Sequence, residues 1–81
     1  MWKEGTIGVY AFNADKETVV CHYWAKVYEE GSEFGIDGGR ISKLKIQVNG
    51  VTTCCYDRGW DIKPADEATE IAYQILLHDY N

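Results

Sequence analysis

The chain has 81 residues, a formal net charge of −5 and an aromatic content of 14%. That length suits one domain, and the aromatics supply the buried area a small core needs without disulfide staples. The acidic balance counts against a general duplex-DNA binder, whose affinity comes mainly from lysine and arginine on phosphates.

The first β-rich stretch is GTIGVYAF, residues 5–12, and Asn13-Ala14-Asp15-Lys16 after it is turn chemistry. ETVVCHYWAKVYE, residues 17–29, predicts the clearest strand. EGSEFGIDGG, residues 30–39, holds four glycines and predicts a loop or a long hairpin tip. RISKLKIQV, residues 40–48, predicts a third strand. Asn49-Gly50 supplies both positive-φ positions of a type I′ turn, so residues 51–57 pair back as a fourth strand. Pro64 suits a first helical turn, with Asp66, Glu67 and Glu70 near the positive end of the helix dipole. Ala68, Ile71, Ala72, Ile75 and Leu76 recur at helical spacing, flanked by Tyr73, Leu77 and Tyr80. The expected fold is α+β: a four-stranded antiparallel β-meander followed by one C-terminal α-helix packed on one sheet face, a single ββββα domain over residues 1–81.

One helix covers one face, so the other face is where function is sought. Strand side chains alternate between faces. Val19, Cys21, Tyr23, Ala25 and Val27 form an apolar set, and so do Leu44, Ile46 and Val48. Their alternates are aromatic and basic. The uncovered face is expected to carry Tyr10, His22, Trp24, Lys26, Tyr28, Lys43, Lys45, Tyr56 and Arg58. A single slip of register would turn part of that set over. Such a face suits a homodimer or another protein partner first, because aromatics and arginine are favoured in interfaces. The alternative is a single-stranded nucleic acid or small nucleotide, stacked on the aromatics and neutralised by the lysines. The plain structural reading is a half-wet sheet face whose aromatics pack on one another and on lysine stems.

The stretch Asp57-Arg58-Gly59-Trp60-Asp61 admits two readings. Arg58 can clamp an anion with the aspartates as base or metal ligands. The structural reading is favoured: Gly59 takes an unusual backbone conformation, Trp60 and Ile62 bury against the helix, and Arg58 caps a carbonyl or pairs with an acid, from the 29–37 loop for instance. Charge is uneven, with Glu29, Glu30, Glu33 and Asp37 unopposed in that loop and Arg40, Lys43, Lys45, Arg58 and Lys63 after it, a pattern an ordinary mixed surface also shows. Gly35–Lys43 lacks the spacing of a phosphate loop, and a strand follows it rather than a helix.

The cysteines are Cys21, Cys54 and Cys55, an odd count with adjacent residues on opposite faces, which predicts reduced thiols in a cytoplasmic protein. No metal site is expected from Cys21, His22, Cys54, Cys55 and His78, whose spacing matches no ligand motif, and no cofactor is expected. No signal peptide or membrane span is read, and no catalytic arrangement, so the chain is expected not to be an enzyme.

SEFGIDGGRISKLKI followed by YDRGWDI resembles a family of short bacterial and phage proteins of unknown function, over about residues 24–66. The resemblance implies a small bacterial or phage cytosolic protein and no activity; for a phage protein, an inhibitor or adaptor role suits the size and acidity. The strand order with a terminal helix is also similar to the single-stranded-DNA-binding coactivator fold, which dimerises, although that class is basic where it binds.

Overall fold

Alternating apolar residues and tight turns fold the chain into antiparallel hairpins with one helix laid across them. The computed structural model describes residues 1–10 and 18–81; the expected turn at Asn13–Lys16 and the end of the first β-rich stretch, residues 11–12, lie outside those residues. The elements are β1 (Trp2–Tyr10), β2 (Thr18–Val27), β3 (Ile41–Val48), β4 (Val51–Asp57), β5 (Trp60–Ile62) and α1 (Glu67–Tyr80). All strands pair antiparallel, in the order β1-β2-β3-β4-β5. The α+β class and the terminal helix are as expected, but the sheet has five strands rather than four. The Asp57–Asp61 corner does not lead straight into the helix. It folds β5 back on β4, with Tyr56 opposite Trp60 and Cys55 opposite Ile62.

Asn49 (φ 52°) and Gly50 (φ 79°) both take the left-handed conformation a type I′ turn requires. Pairing then runs Val48 with Val51 and Gln47 with Thr52, and jumps to Ile46 with Cys54. Thr53 is left over as a β-bulge. Thr53 and Cys54 are both buried, so the bulge reverses the phase of everything after it. A second bulge lies between β2 and β3, where Lys26 pairs with Lys43 but Val27 pairs with Ile41 and Ser42 is the extra residue.

The core lies between the sheet and α1. Cys21, Ala25, Leu44, Ile46, Cys54 and Tyr56 meet Ala68, Ala72, Tyr73 and Leu76 there. The helix starts later than Pro64 suggests: Asp66 is the N-cap, its carboxylate accepting from the Thr69 N–H at 2.7 Å. Its inward stripe is also turned from expectation. Ile71 and Ile75 are 37% and 38% exposed, while Thr69 and Tyr73 take the inward positions. Two contacts account for the rotation: the Thr69 hydroxyl donates to that of Thr53 at 2.7 Å, and the Tyr73 ring meets the Trp60 ring edge-on at 5.5 Å.

The glycine-rich loop is fastened rather than a free hairpin tip. A single 3₁₀ turn, Ile36–Gly38, buries Ile36. Asn81 accepts from the Ile41 N–H and donates to the Ile36 carbonyl, each at 3.0 Å, and Arg40 Nε donates to the Tyr80 carbonyl at 2.9 Å. Among the described residues, no helix is long and apolar enough to cross a membrane.

Candidate binding face

Register across β1–β4 orders the uncovered face into rows. Trp2, Lys26, Lys43 and Asp57 lie in one row, and Glu4, Trp24, Lys45 and Cys55 in the next. Thr6, His22, Gln47 and Thr52 follow, and beyond them, among the described residues, Gly8 lies beside Val20 and Tyr10 beside Thr18. Each row crosses four neighbouring strands whose backbones are about 4.8 Å apart, so residues within a row are direct cross-strand neighbours.

The aromatics and cations interlock. The His22 ring stacks on Trp24 at 4.1 Å with its Nε2 at 2.9 Å from Glu4 Oε2. Lys45 Nζ lies 5.6 Å from the Trp24 ring centre. Lys26 Nζ lies between Trp2 and Tyr28, at 6.0 and 5.5 Å. Lys43 reaches Asp57 at 3.7 Å, and no other lysine of the face has a carboxylate partner among the described residues. Lys26 stands directly opposite Lys43, an arrangement that repels. A cavity of about 410 Å³ opens here, lined by Trp2, Trp24, Lys43, Lys45, Cys55 and Asp57 together with Leu44 and Tyr56.

Of the residues expected on this face, Tyr10, His22, Trp24, Lys26, Lys43 and Lys45 occupy it, and Tyr28 stands at its end beside Lys26. Tyr56 does not. It pairs with Leu44, is 7% exposed and belongs to the core, because the Thr53 bulge moves Cys55 and Asp57 to the outer face in its place. Its hydroxyl donates to the Phe34 carbonyl at 2.9 Å. Trp2 is the residue the sequence reading missed. Its phase with Glu4 and Thr6 continues the strand alternation three residues ahead of the chosen start at Gly5, but charged neighbours obscure it.

Arg58 sits at the corner, and here the structural reading needs correction. The left-handed backbone belongs to Arg58 (φ 58°), not to Gly59. Its N–H donates to the Ser42 carbonyl that the second bulge frees, at 3.1 Å, and its guanidinium lies 5.6 Å from the Phe34 ring centre. The partner from the acidic loop is thus an aromatic rather than an acid. Trp60 touches the helix through Tyr73 but stays 37% exposed, and Ile62 is 40% exposed, so neither is buried as expected.

The cysteines divide as the adjacent pair implies. Cys21 and Cys54 lie in the core, and Cys55 is half-buried on the outer side. Burial pushes the Cys55 thiol up, with Asp61 adding, and burial pushes Cys54 up to about 12. Both thiols are therefore protonated and weakly nucleophilic near neutrality. The family model for the Domain of unknown function (DUF7678) matches residues 1–81. The chain belongs to this family. No curated protein and no solved structure matches it.

Proposed function

We propose that this DUF7678 domain is a non-enzymatic binding module that works through the uncovered face of its sheet, with a second copy of itself as the first partner. One observation carries the reading: Trp2 and Val20, at 56% and 58% exposure, share a face with Trp24 and its cavity, and among the described residues no element covers them. An apolar, aromatic surface of this kind marks an interaction site. Lysine stems lying along the tryptophans add apolar area while their charges reach the rim. A cytoplasmic inhibitor or adaptor of bacterial or phage origin fits a small acidic domain with one working face.

Light scattering tests this directly. Wild type is expected at dimer mass, and Trp24→Ala and Val20→Lys at monomer mass with unchanged circular dichroism. A wild type that stays monomeric at every concentration would overturn self-association. The specific observation favouring a second reading, an anionic ligand such as a single-stranded nucleic acid, is the direct opposition of Lys26 and Lys43, of which only Lys43 has a carboxylate partner among the described residues. In that case mass shifts with a short oligonucleotide, and only at low salt.

A further inference from the structure

Beyond the tryptophan groove, a second cavity of about 320 Å³ lies where the glycine-rich loop meets the Arg58 corner, lined by Tyr28, Glu30, Ser32, Phe34, Ser42, Lys43 and Arg58. We propose that this cavity binds a nucleoside phosphate, either free or as one unit of a single-stranded nucleic acid. The proposal stands apart from self-association through Trp24 and gives the anionic-ligand reading a defined place.

Each part of such a ligand meets a matching group. Arg58 and Lys43 supply positive charge for the phosphate, and Arg58 has no carboxylate within ion-pair distance among the described residues. Arginine's planar fork suits phosphate oxygens, and it is already laid on an aromatic ring. Tyr28, 45% exposed, and Phe34, 49% exposed, give aromatic walls for a base. Glu30 is the cavity's carboxylate and suits a ribose hydroxyl, as acidic residues do in dinucleotide sites. The volume sits at the lower end of the range for small organic ligands, about 300–1,000 Å³, and exceeds what inorganic phosphate needs.

The corner is also built to hold its arginine. A left-handed backbone is disfavoured for arginine, and the glycine next to it does not take that position. Strain of this sort is kept where the surrounding structure enforces it. Here it is enforced by the Asp57 N–H donating to the Gly59 carbonyl at 2.9 Å across Arg58 and by the Arg58 N–H donating to the Ser42 carbonyl at 3.1 Å. The neighbourhood is cationic enough to act on Tyr28: the nearby Lys26 ammonium lowers its hydroxyl from the ordinary value, with Ser42 and Arg58 acting in the same direction.

Calorimetric titration of the full chain with AMP, adenosine, inorganic phosphate and oligoadenylate tests the site. AMP is expected to saturate it, with adenosine and phosphate alone each at least about tenfold weaker. Arg58→Gly removes the guanidinium and relieves the backbone, so it should melt no lower than wild type while losing at least about tenfold in AMP affinity. Lys43→Gln should weaken AMP in the same direction. Tighter binding of oligoadenylate than of AMP assigns the site to single-stranded nucleic acid, and equal binding assigns it to the free nucleotide; both support it. Equal AMP affinity in wild type and Arg58→Gly, or no heat from AMP or oligoadenylate, would overturn it. Trp24→Ala should retain AMP binding, which separates this outcome from that of self-association.

Discussion

The Thr69 hydroxyl donates to the Thr53 hydroxyl at 2.7 Å, and both side chains are buried. This bond joins the first turn of α1 to the bulge in β4, the two features that decide which residues face the core. Thr69→Val leaves Thr53 with only its long contact to the Ile46 carbonyl, 3.5 Å. The expected loss is about 1–3 kcal/mol. In the Thr53→Val/Thr69→Val double variant the loss should be smaller than the sum of the singles, as read from urea unfolding midpoints. Strictly additive losses would mean the two hydroxyls are not coupled.

Tyr56 belongs to the core and to the loop anchor, so its variants should report stability before binding. Tyr56→Phe keeps the packing but drops the bond to the Phe34 carbonyl, a loss of about 1 kcal/mol. Tyr56→Ala should lose about 3–5 kcal/mol, the range for aromatic truncation in a core. Thermal melts measure both.

The rotated helix stripe separates isoleucine from leucine. Ile71→Lys and Ile75→Lys fall on the outer side and should stay within about 0.5 kcal/mol of wild type. Leu76→Ala, at a buried position, should lose about 2–5 kcal/mol. Denaturant titration of these variants decides the face, since the stripe read from the sequence alone predicts large losses at Ile71 and Ile75 as well.

Stability should fall on the alkaline side. Burial pushes both the Cys54 thiol and the Tyr73 hydroxyl up to about 12, from ordinary values of 9.0 and 10.0. Each group therefore holds its proton more tightly folded than unfolded. Its stabilisation is complete below the ordinary value and is lost as pH rises toward the folded value, at up to about 1.4 kcal/mol per pH unit and group. Unfolding midpoints measured from pH 7 to 12 should drop in two stages. Cys54→Ala should shrink the stage that begins near pH 9, to which the raised Cys21 and Cys55 thiols also contribute, and Tyr73→Phe the stage that begins near pH 10, which Tyr23, also pushed up to about 12, shares.

Local chemistry by itself determined the α+β class, the type I′ turn at Asn49-Gly50, the strand alternation through β2 and β3, and with it the outward placement of His22, Trp24, Lys26, Lys43 and Lys45. These depend on period and on backbone preference, which a short window contains. Tertiary structure decided the rest. The Thr53 bulge turned Tyr56 inward, because one unpaired residue reverses every later side chain and no local pattern announces it. The fifth strand exists because Trp60 finds Tyr56 and Tyr73 together, at 5.1 and 5.5 Å. The helix turned toward Thr69 and Tyr73 because their partners sit on β4 and β5, while Ile71 and Ile75 supply helical periodicity to either side. Arg58 and Phe34, far apart in sequence, became neighbours only when the anchored loop closed over the corner.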